Sequence, residues 1–335
     1  MYKILVTGGC GFIGSNFIKK IVSTEDVRIR NLDCLTYAGN LDNLRDIDLC
    51  KYEWFQMDIT NYHDVLVAVS NFAPDYIIHF AAESHVDRST MGPLIFPQVN
   101  TLGTANMLEA ARMNSSLKKF IHVSTDEVYG SIQEGFANEG YPLSTSSPYS
   151  ASKAGADLLA LSYYTTFGLP VVVTRCTNNY GPCQHVEKFI PRAITNALSG
   201  QNIKIYGTGE NVRDWIWVED HCAALWQLVQ AGKDGRIYNI GYGDASLSNL
   251  TIAKKIVELA DEIGHKIELE FVTDRPGHDW RYAVDIDKIR KEIKWWPQIK
   301  WELGLALTVE WYRQNEWWWK PQKEATEKFY QKLGR

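Results

Sequence analysis

The most constraining feature lies at the start of the chain. An apolar run, Ile4-Leu5-Val6, ends in Thr7-Gly8-Gly9-Cys10-Gly11-Phe12-Ile13-Gly14, and a helical stretch over 14–23 follows. Glycines at 8, 11 and 14 permit a tight strand-to-helix turn. Its backbone N–H groups and the helix N-terminus then converge on one point, which suits a pyrophosphate. Tight turns use glycine for steric reasons too, so the reading rests on context: directly after a strand and directly before a helix. Asp33 closes the second apolar run, nineteen residues beyond Gly14, and no arginine immediately follows it. A carboxylate there accepts hydrogen bonds from adenosine ribose hydroxyls and repels a 2′-phosphate, which favours NAD over NADP. The plainer alternative is an aspartate that caps a loop.

Apolar runs and helical stretches alternate downstream. Val27 to Leu32, Glu53 to Met57, Tyr76 to Phe80, Phe120 to Val123 and Val171 to Thr174 read as strands, with residues 99–114 and 149–167 among the helices between them. This alternation predicts an α/β protein, a Rossmann-type doubly wound parallel sheet covered on both faces. Beyond about residue 175 the pattern loosens into loops rich in Gly, Asn and Pro. Ile237 to Ile240 reads as one more strand. Residues 250–263 read as an amphipathic helix, with Ile252, Ile256, Leu259 and Ile263 at helical spacing. The expected organisation is an NAD-binding domain over 1–175 with a return segment near 214–241, and a smaller C-terminal α/β substrate domain over 176–213 and 242–335. Seven of the twelve tryptophans lie beyond position 290, so aromatic packing is expected there.

Composition narrows the partners. At 45% hydrophobic and 22% charged residues, the chain has material for a core. Its 35 basic and 40 acidic residues leave a net charge of −5, which argues against nucleic acid or an anionic membrane as the main partner. An anionic small molecule needs only a local cluster of cations. No apolar run reaches the length of a membrane span, and Tyr2 leads almost at once into the first strand rather than into a leader pattern. The six cysteines (Cys10, Cys34, Cys50, Cys176, Cys183, Cys222) show no CxxC spacing. They read as free thiols, with no metal site and no disulfide framework, and the expected location is the cytoplasm.

Two further clusters carry chemistry. Tyr149 and Lys153 open a helical stretch and stand four residues apart, on one helical face. A phenol with an ordinary pKa of about 10 is a poor base at neutral pH. A neighbouring ammonium and a cationic nicotinamide favour the phenolate, which can take a hydroxyl proton while hydride leaves the same carbon. Tyr-x-x-x-Lys alone is a common coincidence; behind this glycine turn it points to redox chemistry on an alcohol. Thr125-Asp126-Glu127 follows the fifth strand, where the ends of parallel strands face the ligand crevice. Thr125 is placed to bind a substrate oxygen beside Tyr149, and the two carboxyls suit an acid and a base. The alternative is a helix N-cap followed by acidic first-turn residues.

With these motifs in hand, the chain resembles the extended short-chain dehydrogenase/reductases, and within them the nucleotide-sugar 4,6-dehydratases. The resemblance runs from Ile4 to about Pro321 and rests on residues 7–14, on Asp33 to Asn40 and on Ala81-Ala82-Glu83-Ser84-His85-Val86-Asp87-Arg88-Ser89. Ser124 to Gly130, Ser147 to Lys153, Asn178 to Pro182, Arg213-Asp214-Trp215 and Arg275 to Asp279 extend it. The Thr-Asp-Glu triplet separates such dehydratases from 4-epimerases, which lack the acidic pair. The resemblance implies a cofactor set of Gly8, Gly11, Phe12, Ile13, Gly14, Asp33, Cys34, Leu35, Thr36, Asp58, Ile59, Phe80, Ala81, Ala82, Glu83, Ser84, Val99, Tyr149, Lys153 and Asn179. It implies a substrate set of Ser84, Thr125, Asn178, Lys188, Phe189, Lys204, Ile205, Tyr206, Arg213, Asn249, Asp274, Arg275, Pro276, Gly277 and His278. Lys188, Arg213 and Arg275 suit a diphosphate. Val186 and Lys204 stand where the family carries proline, which leaves thymine and uracil both open as the base.

The implied reaction turns a nucleoside-diphosphate glucose, dTDP-glucose or UDP-glucose, into its 4-keto-6-deoxy derivative. It oxidises carbon 4, eliminates water across carbons 5 and 6 and returns hydride to carbon 6, with NAD regenerated. Tyr149 would take the 4-hydroxyl proton and Glu127 the carbon-5 proton, while Asp126 protonates the departing hydroxyl. A 4-epimerase would use Thr125, Tyr149 and Lys153 and leave Asp126 and Glu127 idle. A noncatalytic NAD-binding regulatory protein should have lost Tyr149 or Lys153, and both are present. A homodimer is expected, because outer apolar residues of 99–114 and 149–167, such as Leu159 and Tyr163, exceed what one sheet face can bury, and in this family the matching helices pair.

Overall fold

The computed structural model describes residues 1–335 except 245, 275–278 and 333–335. Six strands follow in chain order: β1 (Tyr2–Thr7), β2 (Val27–Asp33), β3 (Tyr52–Gln56), β4 (Tyr76–His79), β5 (Lys119–Thr125) and β6 (Val171–Cys176). A seventh, β7 (Arg236–Ile240), returns to the sheet beside β6. The spatial order is β3-β2-β1-β4-β5-β6-β7, and every neighbouring pair is parallel. Strand order reverses between β1 and β4, so their carboxyl ends diverge and open a crevice.

Alternation along the strands distributes the core to both faces. Ile4 and Val6 of β1 pack with Phe17, Ile18 and Ile21 of helix Phe12–Thr24 and with Leu225 and Leu228 of helix Val218–Ala231. Leu5 points the other way, to Val65 and Val69 of helix Tyr62–Phe72, Met107 and Leu108 of Thr104–Arg112, and Ala160 of Pro148–Phe167. The predicted helix over 99–114 is π-helical over Pro97–Gly103 before it becomes α-helical. Helix Pro148–Phe167 is defined at both ends: Ser147 and Ser150 form a capping box, Pro148 takes the first turn, and Gly168 closes it in the left-handed conformation at φ 70°. Among the described residues no helix is long and apolar enough to cross a membrane.

A second core gathers residues beyond β6. Helices Phe189–Leu198, Asn249–Glu262 and Trp301–Gln314 enclose Ile190, Ile194, Ile252, Ile256, Leu305 and Tyr312. Trp215–Trp217 pairs with Asn178–Tyr180 rather than with the main sheet, so within 214–241 it is β7 that rejoins it. Trp295, Trp318 and Trp319 are buried as packing residues, whereas Trp296 and Trp317 are about half exposed. Trp318 also makes a polar tie across the molecule. Its Nε1 donates to Asn43 Oδ1 at 2.8 Å, and Asn43 Nδ2 donates to the Cys10 carbonyl at 2.9 Å. The last helix, Glu316–Lys332, is thereby fastened to the glycine turn.

Trp318→Phe should remove the donor and leave a buried amide oxygen unpaired, lowering stability in urea unfolding by about 1–2 kcal/mol. Trp296→Ala, at a position 52% exposed, should stay within about 0.5 kcal/mol of the unaltered protein.

Candidate active site

The glycine turn is shaped by close backbone approach. Gly8 has φ +72°, and a Cβ there would lie 2.7 Å from the Ala81 nitrogen; one at Gly14 would lie 2.4 Å from the Gly8 carbonyl oxygen. Asp33 Oδ2 accepts from the Cys10 N–H and Oδ1 from the Leu35 N–H, both at 2.8 Å. Burial pushes the Asp33 carboxyl up, and these two amides oppose it. The groove over this turn takes in the whole expected cofactor set except Leu35. Leu35, at φ +54°, turns its amide back onto Asp33 and serves the carboxylate rather than the groove.

At the far end of that groove stand the reactive residues. Thr125 ends β5 and caps a short 3-10 helix, Asp126–Tyr129. Its Oγ1 accepts from the Glu127 N–H at 3.2 Å and donates to Asp126 Oδ1 at 3.2 Å. The capping arrangement is therefore real, and it presents the acidic pair to the groove rather than to solvent. Asp126 is buried, and its Oδ2 has no hydrogen-bond partner among the described residues. Burial, reinforced by Glu127 and Asp214, pushes its carboxyl well above the usual range, which favours its protonated form.

Tyr149 and Lys153 line the same groove from helix Pro148–Phe167. The expected acidification of the phenol by the ammonium is not what the protein alone shows. Burial, then the charge of Glu127, pushes Tyr149 well above its ordinary value. The Lys153 Nζ donates instead to the Val123 carbonyl at 2.8 Å, and burial, against the pull of Asp157, lowers its pKa to about 8. The phenol is thus a proton donor or reservoir until a further cation reaches the site.

A second groove opens from the first. Ser84, Glu127, Asn178, Asn179, Gln184, Glu187 and Lys188 line both. Of the expected substrate set, Phe189, Lys204, Tyr206, Arg213 and Asn249 also line this second part, while Thr125 lines the first. Ile205 does not: strand Ile203–Tyr206 alternates, and Ile205 turns into the second core. Asp274 is exposed and lines neither groove; Arg275, Pro276, Gly277 and His278 lie outside the described residues. Lys188 Nζ donates to the Ser84 carbonyl at 2.8 Å, and the Arg213 guanidinium donates to the carbonyls of Val212 and Asp279 while lying 4.4 Å over the Tyr282 ring.

Sequence reasoning missed several lining residues, among them Gln184, Glu187, Arg192, Asn196 and Tyr330. Glu187 pairs with Arg88 at 3.0 Å; burial opposes its charge, but His85, Lys188, His185 and Arg88 bring its carboxyl down to about 2. Its place directly before Lys188 was a usable signal. Tyr330 had none, because it comes from the last helix and reaches the groove only through tertiary packing against Arg192, 3.8 Å over its ring.

Comparisons with known proteins agree with this geometry. The family model described as GDP-mannose 4,6 dehydratase matches residues 5–308. A probable dTDP-glucose 4,6-dehydratase of Sinorhizobium fredii is 45% identical, over 96% of this chain and 96% of its own. The dTDP-glucose 4,6-dehydratase of Shigella flexneri is also 45% identical, over 97% and 96%. The crystal structure of DesIV, a dTDP-glucose 4,6-dehydratase from Streptomyces venezuelae with NAD and TYD bound, superposes with a TM-score of 0.90 at 42% identity, covering 96% of this chain and 99% of that one. A UDP-glucose 4-epimerase from Thermotoga maritima shares the fold at TM-score 0.87 but only 28% identity, over 94% and 99%. The chain belongs to the 4,6-dehydratase family that this model describes, alongside the dTDP-glucose 4,6-dehydratases.

Proposed function

We propose that this protein is an NAD-dependent hydro-lyase that dehydrates a nucleoside-diphosphate glucose to the 4-keto-6-deoxy sugar of deoxysugar biosynthesis. dTDP-glucose is the assigned substrate, from 45% identity with enzymes of that name, and UDP-glucose the second choice. The observation that carries the reading is the buried Asp126, with no partner for its Oδ2 among the described residues, beside Glu127 in the groove that also holds Tyr149. A 4-epimerase would have no use for that pair.

The groove fits a dinucleotide. Gly8 and Gly14 leave no space for a Cβ where the chain doubles back, and Asp33 is held by two amides at the end of β2. Gly8 to Gly14 would hold the pyrophosphate, Asp33, Cys34, Thr36, Asp58 and Ile59 the adenosine, and Phe80 to Ser84, Val99, Lys153 and Asn179 the remainder. NAD, when bound, supplies the hydride acceptor for carbon 4 and the hydride donor for carbon 6. Its cationic ring also provides the positive charge that the phenol lacks in the protein alone.

Each protein residue then has one task. Thr125 positions the 4-hydroxyl, and Tyr149 takes its proton as carbon 4 is oxidised. The ketone acidifies the proton on carbon 5, and Glu127 removes it. Asp126, whose burial favours the protonated form, gives its proton to the 6-hydroxyl, which leaves as water. Glu127 returns its proton to carbon 5, and the proton gained by Tyr149 balances the one lost by Asp126. Lys188, Arg213 and Lys204 serve the diphosphate side of the second groove. Residues 1–175 with 214–241 carry the cofactor in this reading, and 176–213 with 242–335 the nucleotide. The six free thiols support a cytoplasmic location in this reading. A homodimer is supported by apolar residues on the outer helices: Leu159 and Tyr163 are only partly buried against the core, and Leu102, Leu158 and Phe167 are exposed.

Incubation with dTDP-glucose and UDP-glucose separately, followed by mass spectrometry, should show loss of one water without net oxidation. Conversion at unchanged mass to the galactose epimer would overturn the reading. Glu127→Gln should still generate NADH absorbance on addition of substrate, while exchange of the carbon-5 hydrogen with deuterated solvent slows by about a hundredfold or more. Tyr149→Phe should block NADH formation itself. Asp126 has a folded pKa raised above its unfolded value near 4, so ionisation is penalised in the folded state and stability falls as pH rises above that value. Asp126→Asn removes the penalty. Thermal melting should place it above the unaltered protein at pH 7–8, with the gap closing towards about pH 4, and its water elimination should be lost.

A further inference from the structure

A chain of buried charge lies behind the two arms of the site. Asp157 stands one helical turn beyond Lys153 and two beyond Tyr149, on the same buried face of helix Pro148–Phe167. Its carboxylate is fully enclosed. Oδ2 accepts from Arg175 Nε at 2.8 Å, and Oδ1 lies 3.3 Å from His122 Nε2. The Arg175 guanidinium lies 4.8 Å over the ring of Tyr129, the last residue of the 3-10 helix that begins with Asp126 and Glu127. Tyr129 is itself pinned, its hydroxyl donating to Asn239 Oδ1 at 2.8 Å. None of Tyr129, Asp157 and Arg175 lines either groove, and the chemistry above gives them no task. Apolar residues commonly stabilise a core as well as a buried ion pair does, so stability alone is a weak reason for this one.

We propose that the Arg175–Asp157 pair is a positioning device: it fixes the segment bearing Asp126 and Glu127 against the helix bearing Tyr149 and Lys153, and it sets the charge balance of Lys153. The inference rests on the proposed dehydration, in which Lys153 serves as an ammonium. Facing that ammonium are Tyr149 and Asp157 from its own helix, Cys176 from β6, and His79 and His122 from β4 and β5, with Arg175 behind Asp157. Burial holds both histidines below their ordinary value, and it holds the Cys176 thiol up at about 12, so all three are neutral at pH 7. Asp157 is different. Burial opposes its charge, but His122, Arg175 and Ser124 together bring its carboxyl below the usual range. It is the carboxylate that acts on Lys153, and the same carboxylate accepts the hydrogen bond of Arg175.

The test reads Lys153 in the ligand-free protein, by competitive acetylation with acetic anhydride across pH and mass spectrometry of its peptide. Asp157→Asn keeps the size but removes the negative charge, and should move the Lys153 midpoint down by about one pH unit. Arg175→Met removes the cation bonded to the same carboxylate and should move it up by about as much, while Arg175→Lys should leave it within ~0.3 of a unit. The alkaline limb of NADH formation with dTDP-glucose should follow the same signs. Opposite shifts cannot come from a general loosening of the fold. Shifts of one sign in both variants, or none in either, overturn the proposal. A measurement without substitution guards against variants that fail to fold. In the unaltered protein the midpoint should stay within ~0.3 of a unit between about 50 and 500 mM salt, because buried pairs escape screening. A midpoint that follows salt also overturns the proposal. Failure of the dehydration reading would look different: no NADH from either nucleotide glucose, with the opposite midpoint shifts intact.

Discussion

At the switch point of the sheet, the main chain of Gly8 passes so close to β4's exit that a methyl group would meet the Ala81 nitrogen at 2.7 Å. That approach sets the rest of the site. It brings the ends of β1 and β4 to opposite walls of one crevice, and it requires the φ of +72° that glycine adopts without strain. Gly14 repeats the condition six residues later, against the Gly8 carbonyl. With the two contacts in place, Asp33 at the end of β2 and Thr125 at the end of β5 open onto one groove. A larger residue at Gly8 would push the two walls apart, and one at Gly14 would push the first helix off the glycine turn.

Burial then makes adjacent residues of like type chemically different. Asp126 and Glu127 are neighbours in sequence, yet the short 3-10 helix points Asp126 inward, where desolvation pushes its carboxyl well up, and leaves Glu127 at the junction of the two grooves. Division of acid and base between two carboxyls thus follows from a single capped turn. Thr125 is the hinge of that arrangement, because one hydroxyl both caps the Glu127 amide and donates to Asp126. The competing readings of the triplet, structural cap or reactive acids, describe the same geometry.

Much of this was legible in the sequence, for identifiable reasons. Strand–helix alternation is a local signal, and β1 to β7 appear within a residue or two of where the apolar runs placed them. The cofactor groove was legible because its residues sit on strand ends and adjoining loops, where chain position and spatial position coincide. Leu35 and Ile205 were misplaced because a motif fixes a segment, not which way each side chain turns; a positive φ in one and strand alternation in the other decided that. The Tyr149 environment was misjudged because desolvation depends on what is stacked above a residue, which spacing does not encode. The same holds for Tyr330, which reaches the groove from the far end of the chain.

The bond from Trp318 to Asn43 has a consequence for how the protein is made. The residues that form the glycine turn leave the ribosome first, but their support through Asn43 and Cys10 comes from a tryptophan 275 positions further on. At roughly 5–20 residues per second, that separation is about 15–55 s of synthesis. During that interval the nascent turn must hold its shape without its buttress, exposed to partners and proteases. A chain released early would carry every reactive residue and the whole parallel sheet, and would still lack the piece that braces its cofactor cradle.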